Sequence, residues 1–265
     1  MWGADGYGVR MERHPSDLVI YGVGQLGQLF AGGALRLGLR VTPIVRATDR
    51  ALVFRDLPRG TPIFLTVSED MLPAAVDDVP PDRHGDVVLV QNELFPRRWH
   101  ALGLDAPTVL VVWLSKKKGR PVEVARPTFA WGRHAQLAVE MHRALDVPAQ
   151  VLDDEAALHQ ELVSKFAFIL TINALGLAEN LPLGAWLEKD RRRVMSLVDE
   201  ARLLAEAHLG TSVDAEYVEL AVLEAMAALK DYPARGRTAH ERIERALRDA
   251  AAFGLELPRL VETQA

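Results

Sequence analysis

Residues 17–50 read DLVIYGVGQLGQLFAGGALRLGLRVTPIVRATDR, and this stretch decides the fold. It opens with the apolar run LVIY, which is typical of a short buried strand. Gly22, Gly24 and Gly27 follow at G-x-G-x-x-G spacing, before an apolar segment of helical length and a strand-like run at 41–45. A strand, a glycine turn, a helix and a strand in this order form the context that a dinucleotide-binding site requires. The segment therefore predicts such a site in an α/β domain.

Each glycine of this turn has a physical reason for its position. Gly22 permits the tight turn, Gly24 lets the backbone approach a pyrophosphate, and Gly27 lets the helix pack closely on the strand. The start of the helix would offer free N–H groups and a positive dipole end to the phosphates. The alternative is a tight strand-to-helix turn that binds nothing. On the first interpretation, the cofactor-binding residues of the turn are Gly22, Val23, Gly24, Gln25, Leu26 and Gly27.

The end of the second strand predicts which dinucleotide binds. Sites that prefer NAD usually place Asp or Glu there, to accept hydrogen bonds from the ribose hydroxyls. Here the strand ends in Arg46, with Arg50 close behind and Asp49 past the strand tip. A guanidinium binds oxyanions bidentately and suits a 2′-phosphate. We therefore expect NADP(H), bound in part by Arg46, and two solvated arginines on an exposed loop are the alternative.

The composition limits the class of protein. With 265 residues, 49% hydrophobic and 25% charged, the chain is long enough for one large or two ordinary globular domains. Its formal net charge of −5 favours neither nucleic acid nor an anionic membrane as a partner. The absence of cysteine excludes disulfides and thiolate catalysis. No apolar run approaches the length that spans a membrane, so we expect a soluble, cytoplasmic protein.

Strand-like and helix-like segments alternate in the first half of the chain, and only helix-like segments follow. We predict a flexible leader at 1–16, a Rossmann-type NADP-binding domain at 17–150, and an all-helical substrate and dimerisation domain at 151–265. The predicted fold class is therefore α/β, with a dinucleotide-binding domain followed by an all-α domain.

Two later segments of the first domain bear on the site. The run 86–92 predicts a buried strand whose polar tip, Asn92, points toward the same crevice as the glycine turn. A turn-forming asparagine that caps local backbone is the alternative. The run 108–113 predicts another strand, followed by a solvated, lysine-bearing hairpin turn at 115–119 that returns through 122–132.

The helical half carries the candidate proton donor. Lys165 and Asn173 interrupt a long apolar helix and, being eight residues apart, lie on roughly one of its faces. Lys165 could line the cleft between the domains as an acid or an anion clamp. The alternative is a side chain whose ammonium reaches solvent. The predicted helices span 153–178, 187–208, 214–229 and 238–253, the third with Asp214 as its N-cap.

These features together resemble the ketopantoate reductase family. The resemblance rests on the glycine turn, Arg46, Asn92 and the helix segment KFAFILTIN at 165–173. The stretch 229–238, which contains Asp231, is similar to that family's loop before its last long helix. The resemblance implies NADPH-dependent reduction of a 2-keto acid to a 2-hydroxy acid, pantothenate biosynthesis, and a C-terminal domain like that of 6-phosphogluconate dehydrogenase.

The resemblance also implies residue roles. Lys165 falls on the family's lysine, which hydrogen-bonds the ketone and donates a proton as hydride arrives. Such a cation stabilises the developing alkoxide and then neutralises it. Asn92 would lie near the nicotinamide or the substrate, and Asn173 and Asp231 would bind a small-molecule carbonyl substrate. The helical half could bury an apolar face in a homodimer.

Several positions depart from the family pattern. Ile169 stands where the family has an asparagine, and Ala239 where it has a glutamate. The family's substrate-binding serine falls near Met226 or Ala227, and a cofactor-side lysine falls at Ser68. Each lost polar contact costs about 1 to 3 kcal/mol of binding. We therefore predict weak or absent turnover of ketopantoate itself.

Two functional hypotheses remain open from the sequence. The first is an NADPH-dependent reductase of a keto acid or related carbonyl, with Lys165 as proton donor. The second is a non-catalytic NADP(H)-binding sensor or interaction protein of the same fold. No metal site is expected, because the eight histidines show no ligand spacing, and the G-x-S-x-G, H-E-x-x-H and phosphate-loop motifs do not occur.

Overall fold

A seven-stranded sheet organises the first half of the chain. This computed structural model describes residues 16–234, 236 and 238–264, so the predicted leader, apart from Ser16, lies outside the described residues. The strands of the described residues are β1 (Asp17–Tyr21), β2 (Arg40–Ile44), β3 (Ile63–Leu65), β4 (Val87–Leu89), β5 (Thr108–Val111), β6 (Leu114–Lys116), β7 (Val122–Val124), β8 (Thr128–Trp131) and β9 (Ala149–Val151).

Helices cover this sheet and make up the second half. Within the described residues, those of the first half are α1 (Gln25–Arg36), α2 (Arg50–Asp56), α3 (Leu72–Asp77), α4 (Pro96–Ala101) and α5 (Ala135–Arg143). Those of the second half are α6 (Glu155–Ala178), α7 (Leu183–Lys189), α8 (Arg191–Leu209), α9 (Ala215–Ala228), α10 (Ala239–Phe253) and α11 (Pro258–Val261).

The strand order places the glycine turn at a topological switch point. The order is β2-β1-β3-β4-β5-β8-β9. The first five are parallel, β8 runs antiparallel to β5, and β9 runs parallel to β8. The chain leaves β1 toward β2 on one side and then crosses to β3 on the other. Sheets of this kind bind ligands beyond the carboxyl ends of the strands at that reversal.

Two apolar clusters lie on the two faces of the sheet. On one face α1 and α5 bury Phe30 and Met141 against Ile20. Their backbones approach closely at Gly33, where a Cβ would lie 2.4 Å from the carbonyl oxygen of Met141. The cluster on the other face continues through Trp113 into α6, so the sheet and the helical half share one core.

The long helix α6 is the centre of the helical half and packs against α8, α9 and α10. The prediction that no apolar run approaches transmembrane length was wrong, because α6 is long and apolar enough to cross a membrane. However, 78% of its most apolar window is buried inside the protein. A helix that is apolar all round and covered by other helices is a core helix.

The predicted fold class is confirmed: a Rossmann-type sheet with helices is followed by an all-helical region. Asp214 caps α9 as predicted, accepting hydrogen bonds from the backbone N–H groups of Glu216 and Tyr217. The single helix predicted over 187–208 was wrong. Asp190 breaks it into α7 and α8 and caps α8 through the N–H of Arg193.

The return of the hairpin also differs from the prediction. β6 and β7 form a separate two-stranded hairpin that carries the lysines at its turn. Of the segment predicted to complete it, Val122–Val124 does so as β7, whereas Thr128–Trp131 becomes β8 and joins the main sheet beside β5. The short helices α2 and α4 were not predicted, because six or seven residues give too little periodicity to detect. The boundary at residue 150 stays a prediction; β9 ends at Val151 and α6 begins at Glu155.

Candidate active site between the sheet and the helical half

The glycine turn after β1 is held against the end of β3. Gly22 has φ +94°, a conformation that favours glycine, and a Cβ there would lie 2.9 Å from Cγ1 of Val67. The N–H of Gly22 donates to the carbonyl of Ile44 at 3.0 Å, and the N–H of Thr66 donates to the carbonyl of Tyr21 at 2.8 Å. The turn is therefore fixed between the carboxyl ends of β2 and β3.

Gly27 is tightly packed, whereas Gly24 faces open space. A Cβ at Gly27 would lie 2.2 Å from the carbonyl oxygen of Gly22 and 2.7 Å from Oγ1 of Thr66, so α1 rests directly on the turn. A Cβ at Gly24, the N-cap of α1, would meet nothing within 4 Å. The first N–H groups of a helix lack intrahelical partners, and no side chain caps those of α1. The turn thus leaves open space over Gly24 and uncapped N–H groups at the start of α1, two features that suit a pyrophosphate.

After β2, Arg46 has no partner in the described part of the chain, whereas Asp49 and Arg50 each bind another residue. β2 ends at Ile44, and Arg46 is exposed just beyond it, with no ion pair among the described residues. Asp49 accepts a hydrogen bond from the N–H of Leu52 at 3.1 Å and so serves as the N-cap of α2. Arg50 is 2.8 Å from the carboxylate of Asp78. Arg46 is therefore the residue of this loop available to a 2′-phosphate.

Asn92 lies three residues beyond β4 and is half-buried. Its neighbour Gln91, which sequence reasoning missed, is buried and donates to the carbonyls of Leu65 and Val67 at 2.8 and 3.2 Å. These bonds tie the end of β4 to the end of β3, and Asn92 follows at the carboxyl edge of the sheet; that it points toward the crevice of the glycine turn stays a prediction. A residue with these interstrand bonds has no distinguishing sequence pattern.

Lys165 is buried in α6 at the junction of the two halves. Its side chain packs on two aromatic rings, with Nζ 4.7 Å from the ring centroid of Trp113 and 5.5 Å from that of Phe168. Burial, and to a smaller extent the positive charges of Arg242 and Arg126, together lower the pKa of Lys165 from 10.5 to about 7. At 7% exposure the residue is not a lysine that reaches solvent.

Trp113, which follows β5, connects Lys165 to a buried ion network. The guanidinium of Arg126 also lies over its ring, 4.9 Å from the centroid. The indole N–H donates to Glu161 at 3.1 Å, and Arg126 contacts the same carboxylate at 2.8 Å. Glu161 lies four residues before Lys165 and so on the same face of α6. That spacing is a sequence signal for this network.

A second ion network joins the carboxyl edge of the sheet to α10. Glu69 follows β3, Glu93 follows β4, and Arg242 contacts both carboxylates, at 3.2 and 3.4 Å. Arg245 makes two hydrogen bonds to Glu93, at 2.8 and 3.0 Å. Burial and the charge of Glu93 raise the pKa of Glu69, while Arg242 and Arg245 oppose that shift. Sequence reasoning missed all four residues, because they come from three distant segments.

The structure places the two predicted substrate-binding residues differently. Asn173 is buried on α6, where Nδ2 donates to the carbonyl of Ile169 at 2.6 Å and Oδ1 accepts from the N–H of Gly236 at 3.2 Å. It thereby holds the loop before α10. Asp231 is exposed in the turn after α9, and among the described residues no contact joins it to Lys165.

Side chains fill most of the space between α6 and α10. A cavity of about 10 Å³ remains, lined by Phe166, Ile169, Glu93, Arg242 and Arg245. Such a volume holds about one water molecule.

Comparisons with known proteins show which solved structures share this architecture. No family model and no curated protein sequence matches the chain. A 2-dehydropantoate 2-reductase from Geobacter metallireducens GS-15 is 17% identical with a TM-score of 0.66, over 93% of this chain and 97% of that one. A D-mandelate dehydrogenase in complex with NADH is 13% identical with a TM-score of 0.67, over 93% and 96%. A dimeric ketopantoate reductase from Staphylococcus aureus is 14% identical with a TM-score of 0.64, over 93% and 96%.

The chain has the ketopantoate reductase fold. The resemblance predicted from the sequence is confirmed at the level of the fold, and it extends over both halves. Within this ketopantoate reductase fold, three of the departures noted in the sequence are apolar and packed, whereas Ala227 and Ser68 are exposed. Ile169 lines the small cavity, and Ala239 and Met226 are buried at 1% and 0% exposure. In this chain the charged groups that act on Lys165 are two arginines, Arg242 and Arg126.

Proposed function

We propose that the protein is an NADP(H)-dependent oxidoreductase that reduces the ketone of a 2-keto acid or related carbonyl compound. Lys165 is the proton donor of this reaction. The observation that carries the proposal is the buried amine of Lys165, with a pKa of about 7, beside Trp113, which follows β5. A general acid is most effective when its pKa lies near the working pH.

The cofactor would be held by the glycine turn and the end of β2. The residues from Gly22 to Gly27 would bind the pyrophosphate, Arg46 the 2′-phosphate, and Asn92 would lie near the nicotinamide. When bound, the reduced nicotinamide supplies hydride to the carbonyl carbon. The open space over Gly24 and the exposure of Arg46 support this assignment.

Lys165 would act on the carbonyl oxygen. Its protonated form donates a hydrogen bond to that oxygen, stabilises the negative charge that develops there, and then transfers a proton to give the hydroxyl. The amine is left neutral and regains a proton from water. Trp113 and Phe168 fix the side chain and exclude water from it.

The substrate is proposed to differ from ketopantoate. The residues at positions 169 and 239 are apolar, so the polar contacts that the resemblance implies for that substrate are missing, and its turnover should be weak. We further propose a cytoplasmic location, supported by the burial of α6 within the protein. We also propose a homodimer, supported by the dimeric S. aureus structure of the same fold. A role for Asn173 and Asp231 in binding substrate, and a place in pantothenate biosynthesis, stay predictions.

A second candidate function is a non-catalytic NADP(H)-binding sensor or interaction protein. One observation favours it: the cavity beside α6 is only about 10 Å³, and two aromatic rings cover the amine of Lys165. Catalysis would require these side chains to move when substrate enters.

One experiment separates the two functions. NADPH and NADH are titrated by fluorescence, and absorbance loss is then followed with a panel of 2-keto acids for wild type, Lys165→Met and the control Lys189→Met. Lys189 is a half-exposed lysine of α7 that pairs with Glu179, far from the site in sequence. The reductase requires that Lys165→Met lower kcat by about 10²-fold or more while NADPH affinity and the control stay unchanged. NADPH binding without turnover of any keto acid would favour the sensor, and no binding of either nucleotide would exclude both.

A further inference from the structure

Arg242 is the feature from which a substrate contact can be inferred. Its guanidinium points from the first turn of α10 toward the carboxyl edge of the sheet, and its side chain is 13% exposed. It contacts Glu69 at 3.2 Å and Glu93 at 3.4 Å, distances that are long for paired charges. Arg245, in comparison, makes two short bonds to Glu93. The carboxylate contacts of Arg242 are thus longer than those of Arg245, and its Nε donates to the hydroxyl of Thr238 at 3.1 Å.

The charges around this arginine are already matched. Arg242 and Arg245 balance the carboxylates of Glu69 and Glu93, and Arg126 pairs with Glu161 and with the exposed Glu224. Within the described part of the chain no carboxylate pairs with Lys165 itself. A substrate anion would therefore bind Arg242 by exchanging with a carboxylate that the arginine already contacts.

The position of Arg242 suits the carboxylate of a 2-keto acid. Its positive charge is close enough to Lys165 to lower the pKa of that amine. Arg242 and Ile169 line the same cavity, and Ile169 lies one turn after Lys165 on the same face of α6. In a 2-keto acid the carboxylate is bonded directly to the ketone carbon, so a donor to the ketone and a cation for the carboxylate must be neighbours.

We infer that Arg242 binds the carboxylate of the substrate, which takes the place of Glu69 on its guanidinium. This inference rests on the proposed function for the identity of the ketone-binding residue. Glu69 has the longer contacts to the arginines, at 3.2 Å to Arg242 and 3.6 Å to Arg245, whereas Glu93 lies 2.8 Å from Arg245. The backbone N–H of Asn92 also hydrogen-bonds Glu69 and would keep that carboxylate satisfied when the substrate takes its place on Arg242. Glu69 belongs to the short 3-10 turn Glu69–Met71 that follows β3, beside the predicted cofactor.

This assignment makes the protein selective for keto acids over neutral ketones. Glu69 also competes with the ligand, so removing its charge should strengthen binding, whereas removing the charge of Arg242 should weaken it. A purely structural ion pair would not give these opposite effects on affinity.

The test uses pairs of acids and neutral esters. Pyruvate, 2-oxobutanoate, phenylglyoxylate and their methyl esters are titrated calorimetrically into the full chain with NADP⁺ present, which prevents reduction. The variants are Arg242→Gln, Glu69→Gln and the control Arg202→Gln. Arg202 is matched to Arg242, since its side chain is 16% exposed and it pairs with two carboxylates, Asp199 and Glu206, on α8. Circular dichroism checks that each variant is folded.

The expected result is that at least one acid binds wild type more tightly than its ester. Arg242→Gln should weaken that acid about 10- to 100-fold and leave the ester unchanged, because a charge-assisted contact is lost. Glu69→Gln should strengthen it, and Arg202→Gln should change nothing. Equal binding of acid and ester, no binding of any acid, or acid binding that Arg242→Gln does not alter would overturn the inference.

The same samples with NADPH separate this inference from the proposed function. Acid-selective binding that depends on Arg242, without turnover, would support the carboxylate site and refute the reductase. Equal reduction of acid and ester in wild type and Arg242→Gln would support the reductase and refute the carboxylate site.

Discussion

The two glycines of the nucleotide turn predict that fold stability and cofactor binding can be separated. In Gly27→Ala the new Cβ would lie 2.2 Å from the carbonyl oxygen of Gly22, a backbone atom that cannot move without opening the turn. In Gly24→Ala the new Cβ meets nothing within 4 Å, and its φ of −77° is one that alanine adopts readily.

The magnitudes follow from these contacts. Overpacking against fixed backbone costs about 2 to 3 kcal/mol, of which the better helix propensity of alanine recovers at most about 1 kcal/mol. For Gly24→Ala the reduced entropy of the unfolded chain is worth about 0.4 to 1 kcal/mol, and the poorer N-cap cancels a similar amount. The change in stability should therefore be close to zero, while the added methyl group occupies the space over the turn where a pyrophosphate would lie.

Thermal unfolding and NADPH titration on the same samples test this. Gly27→Ala should lower Tm by about 3 to 10 °C, at roughly 2 to 4 °C per kcal/mol for a chain of this size. Gly24→Ala should keep Tm within about 3 °C of wild type and weaken NADPH at least about tenfold. A Gly24→Ala variant that binds NADPH like wild type would show that the phosphates do not lie over this turn. An unchanged Tm in Gly27→Ala would refute the packing argument.

Four further predictions concern the proton donor, the 2′-phosphate and the α1–α5 contact. Because only the protonated amine of Lys165 can donate, kcat/KM for reduction should fall as pH rises through about 7, and a flat profile between pH 6 and 9 would contradict this role. Folding lowers the pKa of Lys165 from 10.5 to about 7, so the folded state loses stability as pH falls from about 10 to about 7. The gain in Tm from Lys165→Met should therefore be larger at pH 7 than at pH 10. Arg46→Gln should weaken NADPH about tenfold and leave NADH unchanged in fluorescence titrations, whereas equal effects on both would exclude a 2′-phosphate contact. Gly33→Ala should destabilise the protein by about 2 kcal/mol in urea unfolding, because its Cβ would meet the Met141 carbonyl at 2.4 Å. The neighbouring Gly32→Ala, with only a side-chain contact at 3.9 Å, should stabilise the protein by about 0.5 to 1 kcal/mol. The reverse order of stabilities would contradict the packing.

Some of the molecule follows from local sequence. The glycine spacing, the apolar runs of the parallel strands and the periodic helices of the second half predicted the fold class, because turn geometry and burial act on neighbouring residues. Capping by Asp214 was predicted for the same reason. Local rules failed at Asp190, where one predicted helix became two, and at β8, whose partner is β5 rather than the hairpin strand before it. Strand pairing is decided by which edges meet in space.

The candidate site likewise has one part that local sequence predicts and one part that only the folded structure brings together. The sequence by itself marked the glycine turn through its spacing and Arg46 through its place at the end of a strand-like run. It marked Lys165 through its place in an apolar helix and through the resemblance to the ketopantoate reductase family. Only the tertiary structure brought Trp113 onto the amine and set Arg242 against Glu69, residues separated by 173 positions. Burial of Lys165, and hence its lowered pKa, comes from elements that meet only when the helical half packs on the sheet. Electrostatic environment depends on distances in space, and no local pattern encodes those distances.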